Sequence, residues 1–121
     1  MPLKEPHKVR VYIDELEEMG LDYLEYNGLP FNGYAVYDYF KPEDNAAIEV
    51  EGEIEYRDGF KKGWDIEYYP NGNIKIEMLR FFETPLLVIE YNELGIEIYR
   101  SRQVSLEDYD DMIEKYNILD K

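Results

Sequence analysis

The residues with the clearest capacity for chemistry are four glutamates at alternate positions, Glu49, Glu51, Glu53 and Glu55. A period of two is typical of a β-strand, because a helix would scatter the four carboxylates around its axis. Paired carboxylates can perform acid–base hydrolysis if a cleft holds two of them together and shifts a pKa. Spacing along one strand face indicates instead a solvated polar face or a docking surface for a basic protein, and the sequence leaves both interpretations open.

Other groups that could perform catalysis or hold a metal are scarce. The chain has no cysteine and a single histidine, His7, so a nucleophile–base pair lacks its parts. Ser105 fits the start of a helix better than it fits a nucleophile. Asp108, Asp110 and Asp111 lack the interleaved glycine and terminal glutamate of a calcium loop. We therefore expect no enzyme activity, no metal and no cofactor.

The charge of the chain narrows the class of partner. Its 121 residues carry 28 acids and 13 bases, a formal net charge of -15. Nucleic acids and anionic membranes both require a basic footprint, so neither is expected as a partner. The acids either keep the surface soluble or attract a basic protein. The sequence has neither an apolar leader nor a bilayer-spanning segment, so we expect a cytoplasmic protein.

Strands must position most of these residues. Apolar/polar alternation predicts strands over residues 9–13, 21–26, 33–40, 48–56, 64–69, 74–82, 86–91 and 96–100, with Gly-containing turns between several of them. The fold class expected is mainly β, an antiparallel meander of hairpins in which each strand pairs its sequence neighbour. Residues 1–8 are expected to form a loose arm. Ser105 begins a predicted C-terminal helix over residues 106–117, which should pack on the sheet and cover a strand edge.

Phase along the strands separates core residues from interface candidates. Trp64 is in phase with Ile66 and Tyr68, which predicts that it belongs to the core. Three tyrosines lie out of phase with the main apolar face, and such residues are favoured at interfaces. The predicted partner-binding residues are Glu49, Glu51, Glu53, Glu55, Glu67, Tyr37, Tyr39 and Tyr69. We expect a single domain over residues 1–121, with the meander at 9–102 and the helix at 105–117.

A degenerate repeat runs through the strands. Residues 26–34 (YNGLPFNGY) are echoed by residues 56–64 (YRDGFKKGW), and residues 68–77 are echoed by residues 90–99. The YNGLPFNG segment resembles the signature of MORN-variant repeat proteins, as does GFKKGW followed by YYPNG. The resemblance covers about residues 10–100. The longer segment at residues 41–52, the last unit without its glycine turn, and the C-terminal helix depart from the family pattern.

Bacterial members of this family are commonly labelled YwqK-type antitoxins, and many are suspected immunity proteins of polymorphic toxin systems. The resemblance therefore implies a non-enzymatic protein that binds and neutralises a cognate toxin. A basic toxin of the nuclease type would complement the acidic charge. The alternative is a MORN-like scaffold module that binds proteins without any toxin partner.

Overall fold

The computed structural model describes residues 4–38 and 50–119. In chain order, the strands of these ranges are β1 (Arg10–Tyr12), β2 (Glu17–Glu18), β3 (Leu24–Tyr26), β4 (Leu29–Pro30), β5 (Gly33–Asp38), β6 (Val50–Arg57), β7 (Phe60–Tyr68), β8 (Ile74–Phe81), β9 (Thr84–Tyr91) and β10 (Glu97–Arg102). A 3-10 turn follows β1 at Ile13–Glu15, and the helix α1 (Leu106–Lys115) follows β10. The chain is mainly β with a C-terminal helix, as the sequence predicts.

Strands β5 to β10 form the predicted antiparallel meander. Each strand pairs with its sequence neighbour, in the order β5-β6-β7-β8-β9-β10. The turn between β6 and β7 shows why the local sequence folds this way. Asp58 and Gly59 both have positive φ, 51° and 88°. Two such residues make the turn whose twist matches the strands that it joins.

The N-terminal third of the chain departs from a simple meander. Strand β1 pairs in parallel with β5, with Val11 opposite Ala35. The long connection that a parallel pair requires is here a separate small sheet of β2, β3 and β4. The strand predicted for residues 21–26 begins only at Leu24, because Leu21 and Asp22 have φ of 51° and 59°, outside the strand region.

Two apolar cores lie on opposite faces of the seven-stranded sheet. The first, on what we call the core face, contains Tyr34, Ile66 and Leu79, and residues of α1 pack against it. The second contains Ala35 and Tyr56, which pack with residues of the N-terminal third. Trp64 is 9% exposed and belongs to the first core, as predicted.

The C-terminal helix is capped and packs on the sheet, as the sequence predicts. The backbone N–H of Asp108 donates to Oγ of Ser105 at 3.1 Å, which fixes the start of α1. The apolar stripe of α1, including Tyr109 and Ile113, lies against the first core. On the edge strand β10, the side chains of Ile98 and Tyr99 are exposed.

Candidate functional site

Two of the predicted partner-binding glutamates are buried. Glu53 and Glu55 are each 1% exposed, so the prediction that they line an exposed docking face is wrong. Glu55 lies opposite Tyr34, and Glu53 lies opposite both Val36 and Ile66. Opposed residues share a face, so these carboxylates project into the core side of the sheet. A charged group is tolerated there only when cations and hydrogen bonds compensate it.

The compensation for Glu53 comes from the start of the chain. Nε and Nη2 of Arg10 donate to the two carboxylate oxygens of Glu53 at 3.0 and 3.1 Å. Burial lowers the pKa of Arg10, but the hydrogen bond and the charge of Glu53 outweigh it and raise that pKa overall. The guanidinium also lies over the ring of Tyr34, 4.6 Å from its centroid. Arg10 is therefore held by planar contacts that a lysine could not reproduce.

Glu55 is held by a different set of donors. Nζ of Lys8 contacts its carboxylate, Nε of Arg57 donates to it at 3.0 Å, and the backbone N–H of Trp64 donates at 3.0 Å. The carboxylate needs room beside β7, and Gly63 provides it. A Cβ at Gly63 would collide with Glu55, and its φ of 113° also disfavours other residues.

A third buried carboxylate, Glu77, completes this network. Nζ of Lys4 lies 2.6 Å from Glu77, and the hydroxyl of Tyr91 donates to it. Burial and this hydrogen bond raise the pKa of Tyr91 to about 12. We call residues 4–10 the N-terminal strap, since their side chains supply Lys4, Lys8 and Arg10 to the buried acids. From residue 4 onward, the expected loose arm is thus tied to the sheet by ion pairs and is not loose.

The acids of this network are already matched by bases. Its members are the acids Glu5, Glu53, Glu55 and Glu77 and the bases Lys4, Lys8, Arg10 and Arg57. A basic partner would have to displace these bases to reach the carboxylates, so the network is structural. The sequence signal for this network is the set of bases in residues 4–10. Lys8 and Arg10 are two positions apart, as are Glu53 and Glu55 of β6.

The remaining predicted partner-binding residues differ in position and exposure. Glu49 and Tyr39 lie outside the described residues. Glu51 is partly exposed in β6. The hydroxyl of Tyr69 donates to the backbone carbonyl of Tyr91 at 2.8 Å, so this polar group joins β7 to the β9–β10 hairpin instead of pointing to a partner.

Glu67 and Tyr37 lie on the face of the sheet opposite the buried acids. Register aligns Tyr37 with Gly52, Gly52 with Glu67, Glu67 with Ile76, and Ile76 with Glu90. These residues form one row across five strands. The ring of Tyr37 lies over Gly52, where a Cβ would collide with it. The position of Tyr37 therefore requires a glycine at residue 52.

A second row runs beside the first. Asp65 aligns with Met78, and Met78 aligns with Val88. We call Glu67, Ile76, Met78, Val88 and Glu90 the acidic face. All five are partly exposed, and the three apolar residues belong to neither core.

The charges of the acidic face are less compensated than those of the buried network. Within the described ranges, no Lys or Arg forms an ion pair with Glu67 or Glu90. Asp65 beside them pairs with Arg80 at 3.1 Å. Burial raises the pKa of Asp65, Arg80 opposes this rise, and the charge of Glu67 adds to it. The face therefore combines an apolar centre with negative charge, which suits a partner that is apolar and basic.

Two further features concern residues 4–38 and 50–119. No cluster of three or more metal-ligating side chains occurs in these ranges. No helix in them combines the length and the apolarity that a membrane crossing would require.

Comparison with protein-family models, with curated proteins and with solved structures finds no match for this chain.

Proposed function

We propose that this chain is a non-enzymatic immunity protein, or antitoxin, that neutralises a cognate basic toxin in the cytoplasm by binding it directly. The observation that carries the proposal is the acidic face, where Ile76, Met78 and Val88 are partly exposed beside Glu67 and Glu90, and no Lys or Arg of residues 4–38 and 50–119 pairs with either glutamate. The resemblance of the hairpins to MORN-variant repeats supports the same class of function.

The physical basis is complementarity of both charge and surface. A nuclease carries a basic surface that holds phosphates, and an acidic protein can occlude that surface. Net charge of -15 also accelerates the encounter with a basic partner, because long-range attraction steers association. Apolar residues at the centre of the face then slow dissociation, because their burial excludes water from the contact.

The test is capture from the organism that encodes the chain, followed by a functional assay of the captured protein. Tagged wild-type chain is compared with the variant Met78→Lys/Val88→Lys, which places two cations at the centre of the acidic face. We expect a basic protein to be retained by the wild type and lost with the variant. Thermal unfolding of the variant establishes that it is folded.

The captured protein is then expressed alone and together with this chain. Growth arrest that co-expression relieves would support an antitoxin. A captured protein that is harmless on its own would contradict the antitoxin proposal and favour the scaffold alternative. Failure of the wild type to retain any protein would contradict both.

A further inference from the structure

An apolar cavity of about 380 Å³ opens at the end of the sheet where the β6–β7 and β8–β9 turns meet. It is lined by Leu21, Asp22, Phe60, Lys61, Phe82 and Glu83. Phe60 and Phe82 meet edge to face with ring centroids 5.6 Å apart. Leu21 is 96% exposed and Phe82 is 47% exposed, so two large apolar side chains that line the cavity are in contact with water.

The backbone around this cavity is held in an unfavourable conformation. Leu21, Asp22 and Phe82 have φ of 51°, 59° and 53°. Bulky apolar residues rarely adopt left-handed φ, because Cβ approaches the following carbonyl. A leucine that is almost fully exposed gains no core packing in return for this strain. Strain and exposure that folding does not require are features of binding sites.

The charge of Asp22 indicates which kind of occupant the cavity favours. Asp22 and Glu83 stand at its rim, and no Lys or Arg of the described ranges forms an ion pair with Asp22. Lys61 lies 3.5 Å from Glu83, and Arg80 lies 3.9 Å from it. Arg80 in turn pairs with Asp65, which adjoins the acidic face, so cavity and face are linked by one chain of ion pairs.

We propose that this cavity receives one apolar side chain of the basic partner protein, such as leucine, methionine or phenylalanine, with a neighbouring lysine or arginine at Asp22. The inference rests on the proposed function and adds the anchor of the interface to it. Interfaces draw most of their affinity from a few apolar anchors seated in pockets, and the carboxylate of Asp22 favours a basic residue beside the anchor.

The test separates binding from folding at Leu21. Asparagine accepts left-handed φ, so Leu21→Asn relieves the strain while removing the apolar side chain. The matched control is Leu94→Asn, since Leu94 is 80% exposed and lies at the opposite end of the sheet. Each chain is titrated calorimetrically with the purified captured partner, and its thermal midpoint is measured. We expect Leu21→Asn to keep or raise the midpoint and to weaken the Kd about tenfold or more, with the control at wild-type affinity.

The outcomes distinguish this inference from the proposed function. If Leu21→Asn and the wild type bind a toxic partner with equal affinity, the proposal that the cavity binds an apolar anchor is wrong, but the antitoxin proposal is unaffected. Weakened binding to a partner that is harmless would support the anchor and overturn the antitoxin. If Leu94→Asn weakens binding as much as Leu21→Asn does, exposed apolar area in general is responsible and the anchor is wrong. Absence of any captured partner would overturn both proposals.

Discussion

Arg10 and Glu53, which are 43 positions apart in sequence, form a two-pronged ion pair on the core face of the sheet. The side chain of Glu53 is 1% exposed and that of Arg10 is 17% exposed. The pair therefore links the N-terminal strap to β6, and both side chains of the pair are largely shielded from water. A buried charge whose partner is removed stays uncompensated, so the strap and the strand depend on each other.

We predict that Arg10→Met lowers the free energy of unfolding by about 3–5 kcal/mol, because Glu53 is left buried without its cation. The double variant Arg10→Met/Glu53→Leu should recover most of this loss, since an apolar pair of similar size has no charge to bury. Denaturant unfolding followed by circular dichroism measures both. A double variant as unstable as Arg10→Met would show that Arg10 matters through its packing on Tyr34 instead.

The sequence was sufficient to predict strands β5 to β10, because each alternates apolar and polar residues, and glycines mark several of their turns. It misled at Glu53 and Glu55. A period of two shows that the faces of a strand differ, but it does not show which face meets water. Their burial depends on Arg10 for Glu53 and on Lys8 for Glu55, both more than 40 positions away, and only Arg57 beside Glu55 is a local cation.

The candidate site was predictable only in part for the same reason. Glu67 and Tyr37 were identified, and register aligns both in the row of residues that runs to Glu90. Ile76 and Val88 were not among the predicted partner-binding residues, because alternation along a strand does not show which face α1 covers. Leu21 looked like the start of a strand, because positive φ at a leucine leaves no trace in the sequence.

We predict that Trp64→Ala lowers the free energy of unfolding by about 3–5 kcal/mol, as is typical when a buried aromatic side chain is truncated. Trp64 lies in the first core, and Nζ of Lys4 lies 3.9 Å from its ring centroid. Tyr99→Ala is the control, because Tyr99 is 50% exposed and its removal should change stability by no more than about 0.5 kcal/mol. Unfolding midpoints that coincide for the two variants would place Trp64 outside the core.

We predict that Tyr56 contributes to the loss of stability at high pH. Burial raises the pKa of Tyr56 to about 12, and the charges of Asp22 and Asp65 add to this rise. A raised pKa stabilises the folded state below the unfolded value of about 10, and this contribution is lost as pH rises through 12. At pH 11 the loss should be about 1 kcal/mol.

Comparing Tyr56→Phe with the wild type isolates the titration of Tyr56, because the lysines titrate in both proteins. Stability measured from pH 8 to 11.5 should fall less steeply for Tyr56→Phe than for the wild type. Parallel curves for the two proteins would mean that Tyr56 titrates at its ordinary pKa in the folded state.

The last prediction concerns the charges that steer the partner. Glu53 and Glu55 are buried on the core face, and the partly exposed carboxylates of the acidic face are Glu67 and Glu90. Glu67→Gln/Glu90→Gln should slow association with the captured toxin about threefold or more at low salt, and the difference should shrink as salt rises, because ions screen exposed charges. Asp111→Asn/Glu114→Gln is the matched control. It removes two exposed charges from α1, which packs against the other face of the sheet. Stopped-flow kinetics at two salt concentrations measures all three proteins. If both double variants slow association equally, the partner responds to net charge alone and the acidic face does not direct it.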